Sequence, residues 1–426
     1  MRNRGNISVF EHQRLYVGEQ GFKQTHLDAL LKLNEYHDGN YFEAIAKGIK
    51  FNQYVGVIQV DGLTIEIHPK ADKDDDDKKW KGVLLKMLQA CGKLKAESAG
   101  AAHVKRQHLN LLEVYFELYL LEVESLVRKG LIKQYRKQTK NNKALKGKLE
   151  FAGHIRNNIV HKERFYTTHQ VYDSNHFLHQ VLYKALSIVS QFTTGSRLQD
   201  LTNRVQLNFP EVDTKTITAQ QLNAIQLNRK SKGYNYAIEL ARLIILNYSP
   251  DISSGKEKML SLLFDMNALW ETYILKQLQK ACVGTAVEVS GQESKSFWGN
   301  NSLRPDIVLR KGDKTFVIDT KWKRPQKTSA SVSDLRQMYT YCRFWDAEKA
   351  LLLYPGTSSE NTFKPYLTDD YSKDLEDIHN PIDHQCKMGF VSVLNESDAG
   401  LDLGIGTQIL RLLFEGMGLD TDLYLE

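Results

Sequence analysis

Two aspartates and a lysine in the C-terminal half of the sequence have the types and spacing of a metal-dependent site. Asp319 directly follows the largely apolar run 315–318, and Lys321 comes two residues later. Asp306 lies upstream of a Gly312-Asp313 pair. If that pair forms a two-residue turn, with glycine first as a type II′ turn prefers, Asp306 lies directly opposite Asp319 in a hairpin. Because side chains alternate along a strand, Lys321 then points to the same face as Asp319.

Opposed carboxylates at this spacing imply a cation between them. Their Cβ atoms would be ~4.5–5.5 Å apart on neighbouring strands, and two like charges at that distance repel. Hard oxygen ligands without cysteine or histidine favour Mg²⁺ or Mn²⁺ over zinc. Such an ion acidifies a bound water and neutralises charge on a phosphoryl group, while an adjacent lysine orients that water or stabilises the same charge. The pattern therefore predicts phosphodiester hydrolysis. The alternative is that Asp306 and Asp319 are polar strand ends and Lys321 is a surface lysine.

Three residues on predicted helices are candidates for the same site. On a helix over about residues 261–280, Glu271 is the only charge in an apolar row that otherwise contains Phe264, Ala268, Leu275 and Leu278. Since an unpaired buried carboxylate is costly, Glu271 is expected to bind the metal or its water, or to form a salt bridge at the edge of the core. Gln337 and Tyr341, on a helix over about 334–345, share a face because they are four residues apart.

The elements that must position these residues form a mixed α/β pattern. The spacing of apolar residues predicts, in order, the helix 261–280, strands at 286–290, 303–310 and 315–321, the helix 334–345 and a strand at 349–354.

The N-terminal part is predicted to be α+β. An Asp61-Gly62 pair between alternating apolar runs predicts a hairpin over 54–68, with one face in the core and the face of Gln59, Thr64 and Glu66 in water. Helices are predicted at about 80–91, 109–127, 174–191 and 235–246. The segment 248–255 contains proline, glycine and serine and is predicted to be a linker. Two regions are therefore expected, 1–250 (β-rich over about 1–70, helical over about 80–250) and 251–426.

Composition excludes several classes of protein. The chain has 426 residues, of which 42% are hydrophobic and 25% charged, as is typical of a globular protein with more than one domain. No run approaches the ~18–20 apolar residues of a membrane span, and no apolar segment of signal-peptide length precedes the first charges. The four cysteines are far apart in the sequence, which indicates neither a disulfide framework nor a zinc site. A reducing cytoplasm is the predicted location.

One segment is strongly basic. Residues 128–164 contain twelve lysines and arginines but two glutamates. A local field of this sign attracts polyanions, so Lys137, Lys140 and Lys143 are predicted to contact DNA or an acidic partner protein. The alternative is a solvated basic surface.

Several motifs together resemble a known family. Arg304-Pro305-Asp306 followed by Asp319-Thr320-Lys321 is similar to the PD-(D/E)xK nuclease signature, and Gln337-x-x-x-Tyr341 resembles the accessory motif of its RecB-like branch. The segments 55–70, 145–149 and 264–274 are similar to segments of the McrC family, whose members are the nuclease subunits of McrBC modification-dependent restriction systems. The resemblance extends over about residues 50–355.

The resemblance implies both a fold and a function. It implies an α+β partner-binding region followed by an α/β restriction-endonuclease-like domain that cuts duplex DNA with Mg²⁺ or Mn²⁺. It also implies a partner, the hexameric AAA+ GTPase McrB, whose central pore receives the N-terminal region of McrC and whose hydrolysis McrC stimulates. Asp306, Asp319 and Lys321 would be catalytic, with Glu271, Gln337 and Tyr341 in support and Glu271 as a third metal ligand.

Two other functions are compatible with the same sequence. One is a non-catalytic activator or adaptor of an AAA+ ring, and the other is a stand-alone RecB-like repair nuclease. The Asp306, Asp319 and Lys321 set favours a nuclease over an activator, and the large N-terminal region disfavours a stand-alone enzyme. The sequence contains no Gly-x-x-x-x-Gly-Lys-Ser/Thr phosphate-binding loop, so the chain is not expected to hydrolyse nucleotides alone.

Overall fold

The computed structural model describes residues 5–60, 62–69, 77–94, 110–250, 258–323, 330–356, 362–366, 384–395, 401–402 and 404–414. The helices are α1 (Gln24–Tyr36), α2 (Asp77–Ala90), α3 (Leu111–Lys129), α4 (Phe151–Asn158), α5 (Phe177–Thr193), α6 (Gln199–Asn208), α7 (Ala219–Asn223), α8 (Asn235–Leu246), α9 (Met266–Ala281), α10 (Val332–Trp345) and α11 (Ile405–Phe414). Within the described ranges, no helix combines the length and the apolar composition that crossing a membrane requires.

The strands of the described residues occur both in consecutive runs and between helices, so the architecture is mixed α+β. They are β1 (Gly5–Phe10), β2 (Arg14–Tyr16), β3 (Phe42–Ile45), β4 (Gly48–Phe51), β5 (Tyr54–Val60), β6 (Leu63–His68), β7 (Gln134–Asn142), β8 (Lys148–Leu149), β9 (Phe165–Asp173), β10 (Tyr248–Pro250), β11 (Lys258–Asp265), β12 (Val287–Gly291), β13 (Lys295–Trp298), β14 (Asn301–Leu303), β15 (Ile307–Lys311), β16 (Lys314–Thr320), β17 (Ala347–Pro355), β18 (Lys364–Pro365) and β19 (Gln385–Val391).

The chain divides into two compact units, each built from several segments. The first contains residues 1–5, 57–64 and 109–262, and the second contains residues 6–56, 65–108 and 263–426. Four of the five boundaries fall inside strands, namely β1, β5, β6 and β11. These two units are not separated by a single boundary at residue 250. The functional division expected at that residue stays a prediction.

A six-stranded mixed sheet dominates the C-terminal part of the second unit. Its order is β12-β15-β16-β17-β19-β18. Strands β12, β15 and β16 are antiparallel neighbours, whereas β16, β17 and β19 run parallel. Helix α10 connects β16 to β17 and contributes Met338, Cys342 and Trp345 to a core shared with the sheet residues Val308 and Val317. The predicted helices and the strands that correspond to β12, β15, β16 and β17 are present in the predicted order, but strands β13 and β14, which were not predicted, lie between β12 and β15.

The first unit is largely helical. Helices α3, α5 and α8 contribute fully buried apolar side chains, including Tyr119, Val181 and Ala241. A three-stranded sheet of order β7-β9-β8 belongs to the same unit. The helices predicted at 109–127, 174–191 and 235–246 correspond to α3, α5 and α8, because all three have long apolar stripes of helical period.

The predicted hairpin over 54–68 exists, but its predicted wet face is wrong. Strands β5 and β6 are neighbours in a five-stranded sheet of order β1-β6-β5-β11-β10. Gln59, Thr64 and Glu66 are buried, with exposures of 9%, 6% and 6%. Oε2 of Glu66 lies 2.8 Å from Nζ of Lys81, so the buried carboxylate is paired. The alternation of polar and apolar residues correctly predicts strands here, but the polar face of these strands is buried as well as the apolar face. Asp61 lies outside the described residues.

Two predicted boundaries also need correction. The residues Ser261–Asp265 form the end of strand β11 and not the start of a helix; α9 begins at Met266, where the side chain of Asp265 accepts a hydrogen bond from the amide of Ala268. This is an N-cap, and such caps fix the first turn of a helix. In the predicted linker, Tyr248–Pro250 form strand β10, which pairs with β11, and 251–257 lie outside the described residues.

Helices α9 and α11 approach each other closely at Gly406. A Cβ atom added to Gly406 would lie 2.4 Å from the carbonyl oxygen of Gln277 and 3.0 Å from Cβ of Ala281. The nearest atom is a backbone atom, which cannot move aside as the end of a side chain can. Glycine is therefore required where α11 crosses the helix that carries Glu271.

We expect Gly406→Ala to lower the free energy of unfolding by about 1–3 kcal/mol, because it overpacks this crossing. Thr407→Ala is the matched control, since Thr407 is exposed in the same helix. Chemical denaturation of both variants beside the parent measures the difference. Equal stability of the two variants would contradict the close approach.

Candidate active site

The β15–β16 hairpin brings the two aspartates of the sequence pattern together. Ile307 pairs with Ile318 and Lys311 with Lys314, so one further step along this register places Asp306 opposite Asp319. Gly312 has φ +55, as the first position of a type II′ turn requires. The predicted turn and register are therefore confirmed.

Asp319 is a buried carboxylate at the end of a central strand. It is 3% exposed and lies opposite Leu352 of the parallel strand β17. Its Oδ2 atom lies 2.6 Å from Nζ of Lys321. Burial, followed by the charge of Asp306, raises the pKa of Asp319 to about 6. Removing water and adding a second carboxylate both disfavour the ionised form.

Asp306 is held in place by the residue that separates Asp319 from Lys321. Its Oδ2 accepts hydrogen bonds from the backbone amide of Thr320 at 2.6 Å and from Oγ1 of Thr320 at 2.8 Å. The carbonyl of Asp306 accepts a bond from the amide of Gln292, the residue after β12, at 2.9 Å. Both the side chain and the backbone of Asp306 are therefore fixed by neighbouring strands.

Lys321 is a half-buried cation surrounded by acceptors. Its ammonium lies 3.9 Å from Oδ1 of Asp334 and donates to Oε1 of Gln337 at 3.4 Å, in addition to its ion pair with Asp319. Burial acts to lower the pKa of Lys321, but the attraction of the Asp319 and Asp334 carboxylates outweighs it and raises that pKa. The amide of Lys321 donates to the carbonyl of Leu353 at 2.8 Å, which fixes the backbone beside β17.

Gln337 and Tyr341 lie on the face of α10 that faces the β15–β16 hairpin. Nε2 of Gln337 donates to the hydroxyl of Tyr341 at 2.9 Å, and that hydroxyl donates to the carbonyl of Arg304 at 3.1 Å. Burial raises the pKa of Tyr341, so its hydroxyl stays protonated and can donate. The shared face predicted from the i, i+4 spacing is thus a connected chain of hydrogen bonds that ends at Lys321.

Glu271 lies at the edge of the cluster. Its Oε1 accepts a hydrogen bond from Nε2 of Gln292 at 2.6 Å, and Arg304 donates to the other end of the Gln292 amide. Burial raises the pKa of Glu271, and the charge of Asp306 adds to that shift. In the described part of the chain, no three Asp, Glu, His or Cys side chains are grouped closely enough to hold a metal ion.

The apolar row predicted around Glu271 is not the buried face of its helix. Phe264 belongs to β11, and Ala268 is exposed. The buried face of α9 consists of Met266, Leu269, Trp270, Tyr273, Ile274, Gln277 and Leu278. Glu271 is beside this face and half-buried, which explains how a carboxylate is tolerated there.

Three residues join the site that the sequence patterns did not identify. Gln292 and Arg304 connect Glu271 to the strand ends, and Asp334 lies between Lys321 and Lys323, 3.4 Å from Nζ of Lys323. Arg304 had a signal as the first residue of the Arg304-Pro305-Asp306 motif, and Asp334 had one because Ser331-x-x-Asp334 is typical of a helix N-terminus. The Ser331 hydroxyl accepts a hydrogen bond from the Asp334 amide. Gln292 follows a strand end in an otherwise ordinary loop sequence.

The predicted basic surface lies in the first unit. Lys137 and Lys140 are on strand β7 and Lys143 follows it, and all three side chains are exposed. Lys137 pairs with Gln170 and Lys140 with Thr167 of β9, and since their positions differ by three they point to opposite faces of the strand. Arg136 is not free, because it forms a bidentate pair with Asp173.

Apolar side chains are exposed beside these lysines. Phe151, Ile155 and Ile159 are spaced by four residues on and just after α4, with exposures of 71%, 60% and 70%. Tyr135 is 73% exposed and stacks on Tyr172 with ring centroids 4.7 Å apart. The first unit therefore exposes several apolar side chains as well as these lysines.

Comparison with models of protein families identifies the family of this chain. A family model described as McrBC 5-methylcytosine restriction system component matches residues 49–355. The chain belongs to this McrBC family. The Type IV methyl-directed restriction enzyme EcoKMcrBC of Escherichia coli K12 is 21% identical over 234 residues, which are 50% of this chain and 64% of that protein. The chain thus spans less than two thirds of the length of this McrBC relative.

Solved structures add a likeness in fold. A chain of the half-complex from the tetradecameric assembly of Thermococcus gammatolerans McrB AAA+ hexamers with bound McrC has a TM-score of 0.68 and 21% identity, covering 96% of this chain and 99% of that one. A chain of the cryo-EM structure of the McrBC complex of the same organism has a TM-score of 0.49 and 22% identity over 65% of this chain. The first of these shows that the McrBC-family chain shares its mixed α+β fold with a component of that assembly.

We expect the protein in EDTA to lose stability as pH rises through the titration of Asp319. The pKa of Asp319 is about 6 in the folded protein and 3.8 in the usual case, so the folded state binds this proton more tightly than the unfolded state. The stabilisation that results is fully present below about pH 4 and is lost by about pH 6. Asp319→Asn removes this loss, so its free energy of unfolding relative to the parent should rise by about 2–3 kcal/mol across that range. Denaturation in EDTA at stepped pH measures it.

Asp306→Asn provides the control for this prediction. Because the charge of Asp306 contributes to the raised pKa of Asp319, the pH-dependent loss should become smaller in that variant. A stability difference between Asp319→Asn and the parent that stays flat between about pH 4 and pH 7 would contradict the electrostatic account.

Proposed function

We propose that this McrBC-family chain is the McrC-type subunit of a restriction system, a Mg²⁺-dependent endonuclease that cuts duplex DNA when it is assembled with a hexameric AAA+ GTPase. The observation that carries the proposal is the β15–β16 register, which opposes Asp306 and Asp319 and leaves Lys321 2.6 Å from the buried carboxylate. The PD-(D/E)xK nuclease signature needs this arrangement of two carboxylates and a lysine. The proposed location of the assembled system is the cytoplasm.

The residues present fit a divalent cation. Asp319 is buried and its pKa is raised beside a second carboxylate, which is the electrostatic condition that a bound cation relieves. Oxygen donors favour Mg²⁺ or Mn²⁺. Asp306 and Asp319 would hold the ion, and Glu271 is the proposed further ligand, directly or through a water. When bound, the ion neutralises charge on the phosphoryl group and acidifies water.

The other residues of the cluster have positioning roles in the proposal. Lys321 is fixed by Asp319, Asp334 and Gln337, and in the proposal this held positive charge would stabilise the negative charge that develops on a phosphodiester. Such preorganised charges cost no rearrangement during the reaction. Tyr341 and Gln337 hold the backbone of Arg304 and the ammonium of Lys321 in one connected arrangement.

The proposed partner follows from the family and from the basic surface. The related assembly contains McrB AAA+ hexamers with bound McrC. We propose that the first unit, with Lys137, Lys140 and Lys143 beside exposed apolar residues, binds the AAA+ ring or DNA and that the chain stimulates nucleotide hydrolysis by the ring. A non-catalytic activator and a stand-alone repair nuclease remain the rival functions, and the experiments below separate them.

We expect Asp319→Asn to lower DNA cleavage by the assembled complex by at least about a hundredfold, because it removes one of two opposed carboxylates. Binding to the AAA+ partner and stimulation of its GTP hydrolysis should be unchanged. Gel-based cleavage of methylated duplex DNA in Mg²⁺, beside a GTPase assay, measures both activities on the same preparation.

The matched control for this experiment is Asp313→Asn. Asp313 is exposed in the turn of the same hairpin, so its loss should leave cleavage intact. If Asp319→Asn retains Mg²⁺-dependent cleavage, the chain is not the nuclease; if the parent stimulates GTP hydrolysis but cuts nothing, the activator is favoured. Cleavage without any AAA+ partner would favour the repair nuclease.

Neutralising Lys137, Lys140 and Lys143 together should weaken binding to DNA or to the AAA+ ring. For DNA, the slope of log affinity against log salt should fall by about one for each phosphate that these lysines neutralise in the parent complex. Because Lys137 and Lys140 point to opposite faces of β7, the single variants Lys137→Gln and Lys140→Gln show which face binds. An unchanged salt dependence for both ligands would identify a solvated surface.

A further inference from the structure

A β-hairpin with exposed aromatic residues lies in the sequence between two residues of the candidate site. Strands β13 and β14 pair with each other in a sheet of their own. Gln292 precedes this hairpin and Arg304 follows it, and Arg304 donates a hydrogen bond to Gln292. Since Gln292 also binds Glu271 and Asp306 lies two residues after Arg304, both ends of the hairpin are continuous with the carboxylate cluster.

The hairpin carries large apolar surface into solvent. Trp298 is 76% exposed and Phe297 is 52% exposed, and every residue of β13 is exposed. A β-bulge at Phe297 interrupts the register between Ser296 and Trp298. Bulges redirect side chains and are frequent beside active sites. Isolated exposed aromatics are ordinary, but two consecutive ones at the tip of a hairpin beside a candidate site form a binding feature.

The base of the hairpin is anchored, so its tip has a defined position. Nζ of Lys295 donates to the carbonyl of Phe344 at 2.7 Å and lies 4.9 Å from the ring centroid of Trp345. Phe297 packs edge-on against Phe344, with ring centroids 5.5 Å apart. These contacts attach the hairpin to the C-terminal end of α10, the helix that carries Gln337 and Tyr341. The next residue, Trp298, remains largely exposed.

The charge of the hairpin itself suits a polyanion. Residues 294–305 contain Lys295 and Arg304 and no carboxylate. Glu293, just before them, is neutralised by Arg310 through bonds of 2.7 and 2.8 Å, and these bonds lower its pKa to about 2. A two-stranded ribbon fits a DNA groove, and apolar side chains at its tip can wedge against a base step.

We propose that the β13–β14 hairpin is a DNA-contacting arm whose Trp298 packs against bases of the duplex beside the phosphodiester that is cut. The inference rests on the proposed nuclease function and adds to it a positioning residue outside the carboxylate and lysine set. Four residues of β13 extend about 13 Å, so the arm reaches bases within a few steps of the phosphate. Its task is to hold the duplex in register with Asp306 and Asp319.

The structure offers a direct optical test. Trp298 is exposed, whereas the other four tryptophans (Trp80, Trp270, Trp322 and Trp345) are at most 6% exposed. Emission that acrylamide quenches in the full chain therefore comes mainly from Trp298. A 30-base-pair duplex added in EDTA should change this emission and protect it from acrylamide, and Trp298→Phe should lose the signal while keeping affinity within about threefold.

Substitutions then test whether the contact matters for cleavage. Trp298→Ala should weaken duplex binding by about tenfold and lower kcat/KM of the assembled complex by a similar factor, mainly through KM. Trp298→Phe should restore most of both quantities because an aromatic ring is retained. Tyr36→Ala is the matched control, since Tyr36 is 62% exposed in the same unit and lies outside the arm.

The outcomes separate this inference from the proposed function. If Trp298→Ala binds and cuts like the parent, the arm is overturned and the nuclease proposal stands. If the emission of Trp298 responds to the AAA+ partner and not to DNA, the arm is a protein contact and the inference is wrong. If Asp319→Asn binds the duplex, shows the Trp298 signal and still cuts, the assignment of the nuclease site fails while the arm stands.

Discussion

The electrostatic conflict between Asp306 and Asp319 is the constraint on which the candidate site depends. Two carboxylates at opposed positions of a hairpin repel, and burial of Asp319 increases the cost of its charge. The surrounding contacts compensate on both sides, through the Thr320 hydrogen bonds to Asp306 and the Lys321 ammonium at Asp319. Such an arrangement is costly for stability alone, which is why it is informative about function.

The sequence was sufficient to predict the central part of this arrangement. A two-residue turn fixes the register of a hairpin, so Gly312-Asp313 determined which residues face each other before any tertiary contact was considered. Long helices with continuous apolar stripes, such as α3 and α8, were equally predictable. In both cases the signal is local, because one turn or one helical period contains the information.

What the sequence did not predict depends on tertiary contacts. Gln59, Thr64 and Glu66 alternate with apolar residues, which is typical of a strand with one solvent-exposed face, yet all three are buried. The sequence pattern of one strand does not show which other elements pack on it. The apolar run at the end of strand β11 predicts a helix as readily as a strand, because short apolar runs suit both structures. Gln292 joined the site through a hydrogen bond across 21 residues, and no spacing rule connects such positions. Strand β10, in the predicted linker, pairs with β11, so a fragment ending at Pro250 would lose that partner strand.

The position of Thr320 between the acidic and the basic residue of the motif has a consequence for comparing relatives. Its amide and its hydroxyl both bind one oxygen of Asp306, so the middle residue of Asp319-Thr320-Lys321 is a structural participant and more than a spacer. A serine would preserve both bonds, whereas valine, with nearly the same shape, would keep the amide and lose the hydroxyl. Natural variants of the family can therefore be sorted at this one position into those that orient the first aspartate through two hydrogen bonds and those that orient it through one.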